Sequence, residues 1–87
     1  SVISLSEGWN IIGPVYDIDN FTESYRKAYP SVYESIAKKD GQLQIFEFKA
    51  ESGTAAYEPT EKLEVGKGYW IKASRAVNLP VIENVKE

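Results

Sequence analysis

A chain of 87 residues has the length of one domain, and a domain this small buries only about 60 to 65% of its unfolded surface, so its core must be dense in large side chains. Apolar residues at 43% and aromatics at 13% meet that demand and exclude a disordered chain. A formal net charge of −3 provides no basic face for nucleic acid or an anionic membrane, and the absence of Cys and His removes disulfides, thiol chemistry, the commonest metal ligand and the commonest general base.

In chain order, Val2-Ile3-Ser4-Leu5 is a short β-prone run, and Ser6-Glu7-Gly8 turns it into a second strand, Trp9-Asn10-Ile11-Ile12. Gly13-Pro14 closes that strand, because Pro14 has no N–H for a ladder and disfavours helix at the residue before it. Asn10 is a β-poor amide among apolar neighbours; it either caps orphan backbone groups at the turn or contacts a ligand.

From Asp17 the period changes. Ile18, Phe21, Tyr25, Ala28 and Tyr29 recur at steps of three and four, which predicts a helix over 19–29 with Asp17 or Asp19 as N-cap and Pro30 as its stop. Its aromatic stripe reads as core. Ser31-Val32-Tyr33-Glu34 fits a capping box and opens a second helix over 31–38, with Glu34 and Ser35 outward. A rival reading pairs 32–38 with 42–48 as a hairpin through Asp40-Gly41.

Leu43-Gln44-Ile45-Phe46-Glu47-Phe48 is a strand whose imperfect alternation implies a bulge or cover on both faces. Lys49 to Gly53 reads as a polar loop, and Thr54-Ala55-Ala56-Tyr57 returns as the partner strand, ending near Pro59. Leu63-Glu64-Val65 leads into Gly66-Lys67-Gly68-Tyr69-Trp70-Ile71-Lys72-Ala73, a tight turn feeding a core strand. Val77 to Ile82 forms a last strand, kept at an edge by Pro80, and Glu83 to Glu87 is a charged, frayed tail. The sum is an α+β fold: a mainly antiparallel β domain of about six short strands, sandwich- or barrel-like, with helices on one side.

The two glycine–tryptophan stretches echo one another. Leu5-Ser6-Glu7-Gly8-Trp9-Asn10-Ile11-Ile12-Gly13 and Leu63-Glu64-Val65-Gly66-Lys67-Gly68-Tyr69-Trp70 each place a leucine three residues before a glycine and a tryptophan soon after. In this order they resemble a small β-rich module marked by GWN-hydrophobic-hydrophobic-G and GxGYW, which recurs as an accessory domain in secreted, cell-surface and some phage structural proteins of bacteria and archaea. The resemblance implies a non-catalytic module within a longer, extracellular or surface-borne chain, partnered by the rest of its parent and by protein or polysaccharide. An initial Ser in place of Met fits a piece of a longer protein. No cofactor, metal or membrane span is expected.

Three function classes follow. The first is a structural or recognition module, in a surface protein or in a virion tail, with Leu5, Gly8, Gly13, Leu63, Gly66 and Gly68 as structural motif and Trp9 and Trp70 as a buried central pair. The second is a carbohydrate-binding module that stacks sugars on Trp9, Trp70, Tyr69 and Tyr57, with Asn10 or Asn78 bonding hydroxyls. The third, a hydrolase using Glu47 with Glu58 or Glu64, lacks the cleft that paired carboxylates need. Asp17, Asp19 and Asn20 offer alternating oxygens for Ca²⁺, but no following Gly and distal Glu complete an EF-hand loop, and helix capping accounts for them better.

Overall fold

The computed structural model describes residues 2–51 and 54–83, and of residues 51, 54 and 55 the backbone alone. In chain order, strands β1 (Val2–Leu5) and β2 (Gly8–Ile12) precede helices α1 (Phe21–Tyr25) and α2 (Pro30–Glu34). Strands β3 (Lys38–Lys39), β4 (Gln42–Leu43), β5 (Ile45–Glu51), β6 (Thr54–Pro59), β7 (Tyr69–Ala73) and β8 (Val77–Pro80) follow. The fold is a small α+β domain, mainly antiparallel β.

The two ends of the chain are paired along their length. β1 runs antiparallel to β8 with Leu5 opposite Val77, and β2 runs antiparallel to β7 with Gly8 opposite Ala73 and Ile12 opposite Tyr69. Both partners break between their strands, at Ser6-Glu7 on one side and Ser74-Arg75-Ala76 on the other, so a single ribbon changes sheets at one level. β7 also pairs with β5, and β5 with β6, giving a four-stranded sheet in the order β2-β7-β5-β6. The two glycine–tryptophan motifs are therefore cross-strand neighbours.

One hydrophobic cluster lies on the inner side. It joins Ile12, Ile45, Tyr69, Ile71 and Ala73 of the four-stranded sheet to Leu5 and Leu79 of the ribbon, Phe21 and Tyr25 of α1, and Tyr33 of α2. Ile18, Ile36, Leu43 and Leu63 complete it from the connections. Phe21 stacks on Tyr25 at 4.5 Å between ring centroids, and Ile18 and Leu63 exchange backbone hydrogen bonds of 2.8 Å that pin the entry to α1. The Tyr25 hydroxyl donates to the Pro80 carbonyl at 2.5 Å and ties α1 to β8.

Several expectations are corrected. The helix over 19–29 is regular only through Phe21–Tyr25; its N-cap is Asn20, whose side chain accepts the Glu23 N–H, while Asp17 accepts the Val65 N–H instead. Single turns carry the chain to Tyr29, where Ala28 and Tyr29 are exposed, and Pro30 opens α2 rather than only ending α1, because proline's missing N–H costs nothing in a first turn. The capping box at Ser31 is not made: the N-cap is Tyr29, without a side-chain bond. The second helix stops at Glu34, and Ser35 is buried, not outward.

The Asp40-Gly41 hairpin forms as well, with both residues at positive φ (53° and 80°), but it pairs only β3 with β4. Gln44 interrupts the following strand, and β5 continues through the residues read as a polar loop, to Glu51. Eight strands are present among the described residues rather than about six, because β3 and β4 are two-residue pieces. Residues 52, 53 and 84–87, which include part of that loop and the tail, lie outside the described residues.

Of the two glycines expected to shape the turn before β7, Gly66 alone has a backbone that calls for glycine. Gly66 has φ of +89°, whereas Gly68 has ordinary backbone angles and open space where a Cβ would stand. Gly66→Val is expected to lower stability by about 1–2 kcal/mol, and Gly68→Ala to change it by less than about 0.5 kcal/mol, in urea denaturation followed by circular dichroism. Burial, reinforced by the neighbouring Tyr29, pushes the Tyr25 phenol up to about 12. A tyrosine in the unfolded chain ionises near pH 10, so the stability held by neutral Tyr25 is complete below about pH 10 and lost as pH rises towards 12. Tyr25→Phe should cost about 1 kcal/mol at neutral pH and flatten the decline in stability over that alkaline window.

Candidate functional site

Side chains alternate across a strand, and directly opposed residues share a face, so the register sorts the four-stranded sheet into two sides. Ile11, Trp70, Phe46 and Pro59 form one row crossing all four strands. Trp9 opposite Lys72, and Phe48 opposite Tyr57, extend it in both directions. This is the side turned away from the core cluster. An antiparallel sheet with one solvated face ordinarily places polar residues there. Here, among the described residues, it carries six large apolar side chains, a proline and one lysine.

The exposure is substantial: Trp9 is 47%, Ile11 70%, Phe48 50% and Tyr57 55% accessible, with Phe46 and Trp70 half-buried among them. Trp9 sits 5.8 Å from Phe46 at an interplanar angle of 57°, and 6.4 Å from Trp70 at 89°. Phe48 and Tyr57 meet at 5.3 Å and 56°. Tilted rings make walls rather than a floor, and Trp9, Phe46, Tyr57 and Trp70 enclose an open notch of about 510 Å³. Lys72 holds its ammonium 5.7 Å from the centre of the Trp9 ring.

Beneath the same sheet, past the end of the core, β5 and β6 turn Glu47, Lys49 and Glu58 to the inner side. Glu47 accepts from Lys67 at 3.0 Å, Lys67 also reaches Glu64 at 3.6 Å, and Lys49 pairs with Glu58 at 3.2 Å. The hydrogen bond and charge of Glu47 raise the Lys67 ammonium above its usual range. Glu47 and Glu58, the carboxylates weighed for hydrolysis, are thus held in ion pairs with lysines.

The residues singled out for binding separate into two groups. Trp9, Trp70 and Tyr57 meet on the outer face, so the expectation that Trp9 and Trp70 form a buried core pair is corrected: they are neighbours, but on the solvent side. The two-residue period explains this, since Ile12, Tyr69 and Ile71 take the inward positions and leave Trp9 and Trp70 outward. Tyr69 is a core residue whose hydroxyl accepts the Glu64 N–H at 2.8 Å. Asn10 is consumed by the turn: it accepts the Ser6 N–H at 2.9 Å and donates to the Ser6 and Gly8 carbonyls at 2.9 and 3.0 Å. Asn78 accepts from the Ser4 hydroxyl on the β1–β8 ladder.

Of the structural motif residues, Leu5 and Leu63 are buried, Gly8 and Gly66 have positive φ, and Gly13 has only an ordinary contact with the Lys67 carbonyl where a Cβ would stand. Sequence reasoning missed Phe46, Phe48, Ile11 and Lys72 as surface partners; the signal was the same-parity spacing of Phe46 and Phe48. It also missed buried Ser35, which donates to the Ser31 carbonyl, accepts from Arg75 Nε at 2.7 Å and takes the Ser74 N–H on its carbonyl.

Among the described residues no group of three His, Cys, Asp or Glu side chains is arranged to hold a metal ion, and no helix is long and apolar enough to cross a membrane. What the fold and this surface define is a mainly antiparallel β domain with an uncovered aromatic sheet face. No protein-family model, curated protein or solved structure matches the chain. Removing the Asn10 amide tests its place in the turn: Asn10→Ala should lower stability by about 1–2 kcal/mol in urea denaturation while leaving acrylamide quenching of Trp emission unchanged.

Proposed function

We propose that this chain is a non-catalytic recognition module, carried as an accessory unit by a larger extracellular or surface protein, and that it binds through the outer face of its four-stranded sheet. The observation that carries the reading is the row Ile11–Trp70–Phe46–Pro59 with Trp9, Phe48 and Tyr57 beside it, on the side of the sheet away from the core. Contiguous exposed apolar surface of this kind is costly in water and marks interaction sites in soluble proteins. The setting in an exported chain rests on the motif resemblance alone.

The saccharide reading gains from the exposure of Trp9, which lines one notch with Tyr57 and Trp70. It loses Tyr69, one of its stacking rings, to the core, and Asn10, one of the two amides meant to bond hydroxyls, to the turn.

A recognition face differs from a folding core in what its loss costs. Trp9→Ala and Tyr57→Ala are each expected to lower stability by less than about 1 kcal/mol, against about 3–5 kcal/mol for a fully buried ring. Trp emission should be readily quenched by acrylamide. A cost near the upper figure for both variants, with shielded indoles, would sink the proposal. Retention on insoluble cellulose or chitin, lost in Trp9→Ala, is the outcome the saccharide reading requires.

A further inference from the structure

The recognition reading leaves open what covers the aromatic face. We infer that its occupant is an extended, proline-rich peptide segment with an acidic residue at the end that lies beside Trp9 and Lys72. The inference rests on the recognition reading and adds three observations.

The first is size. Four strands spaced about 4.8 Å apart and five to seven residues long give a face of roughly 19 by 20 Å, or roughly 380 Å² in outline. A stable interface between folded proteins takes about 800 Å² from each side, so a second copy stacked on this face falls short. A polyproline II segment advances about 3.1 Å per residue, and about six residues span the sheet.

The second is polarity. The notch is walled by Trp9, Phe46, Tyr57 and Trp70, and the nearby Asn10 amide is spent on Ser6 and Gly8. A ligand rich in hydroxyls or N–H groups would leave them unpaired there. Proline brings an apolar ring and no N–H, which suits a notch walled by four aromatic rings. The rings stand at 57° and 89° to one another, which makes slots for successive proline rings instead of the coplanar platform that a sugar chain stacks on.

The third is charge. Among the described residues Lys72 is the one charged residue of the face, at the Trp9 end, and no carboxylate among them lies within ion-pair distance of it. An acidic residue on the peptide supplies that partner and fixes the direction in which the segment lies.

The experiment is a fluorescence titration of the intact chain, reading Trp emission, against four synthetic probes: an oligoproline octapeptide ending in aspartate, the same peptide ending in neutral asparagine, a Gly-Ser octapeptide and cellohexaose. The aspartate peptide should bind saturably and the Gly-Ser peptide not at all. Trp9→Ala should weaken binding at least about tenfold, and Tyr57→Ala serves as a second variant, each first shown folded by circular dichroism. Lys72→Glu should weaken the aspartate peptide about three- to tenfold and leave the asparagine peptide unchanged. Equal binding of the Gly-Ser peptide, preference for cellohexaose, or no binding of either proline peptide at millimolar concentration overturns the inference, as does concentration-dependent dimerisation abolished by Trp9→Ala. A negative titration with Trp9→Ala and Tyr57→Ala still close to parental stability removes this occupant and leaves the recognition reading in place.

Discussion

The antiparallel pairing of the first two strands with the last two is the constraint on which the rest of the structure depends. Bringing Ile12 against Tyr69 closes a loop of roughly 60 residues, whose entropy alone costs about 4 kcal/mol, and that cost is met only when the whole ribbon zips and its inward side chains are covered. Everything between the motifs then serves the ribbon. Phe21, Tyr25 and Tyr33 roof its inner side, β5 extends it edgewise, and the Ile18–Leu63 bridge positions the turn that feeds β7.

The ribbon is also fastened where it is weakest, at the level where it changes sheets. Asn10 bonds the Ser6-Glu7-Gly8 turn on one side, and on the other the Ser74-Arg75 turn is held by Ser35, Ser31 and the Arg75 guanidinium. Ser35 is a buried polar residue with its hydroxyl both donating and accepting, so it joins α2 to that turn without an unpaired group. Tyr25 does the same for β8 at the far end of the ribbon.

The architecture was largely legible in the sequence, and the surface was not. Most strand runs, the Asp40-Gly41 turn and the inward faces of Phe21 and Tyr25 follow from period and turn chemistry. The lengths of the helices do not, because Ala28 and Tyr29 satisfy a helical period that the tertiary structure leaves exposed. Trp9 and Trp70 were legible as a pair but not as to side. Gly8-Trp9-Asn10-Ile11-Ile12 is apolar on both parities, so alternation says that Trp9 and Ile12 point oppositely but not which of them meets the core. Only the register with Tyr69 and Ile71 decides it. Asn10, a candidate on chemical grounds, is claimed by backbone groups two and four residues away, a local competition that composition does not reveal.

The alternation that hid the surface from the sequence also separates its history from that of the fold. Ile45, Tyr69 and Ile71 hold the register from one side of the sheet while Phe46, Trp70 and Lys72, their immediate neighbours along the chain, take no part in the core. Substitutions on the outer side can therefore accumulate without eroding the scaffold, and on the proposed recognition reading new specificities can be explored one residue at a time on an unchanged backbone. Related chains built on the same paired ribbon would be expected to keep the inward residues and diverge at the outward ones, so that likeness of fold among them would be a poor guide to likeness of ligand.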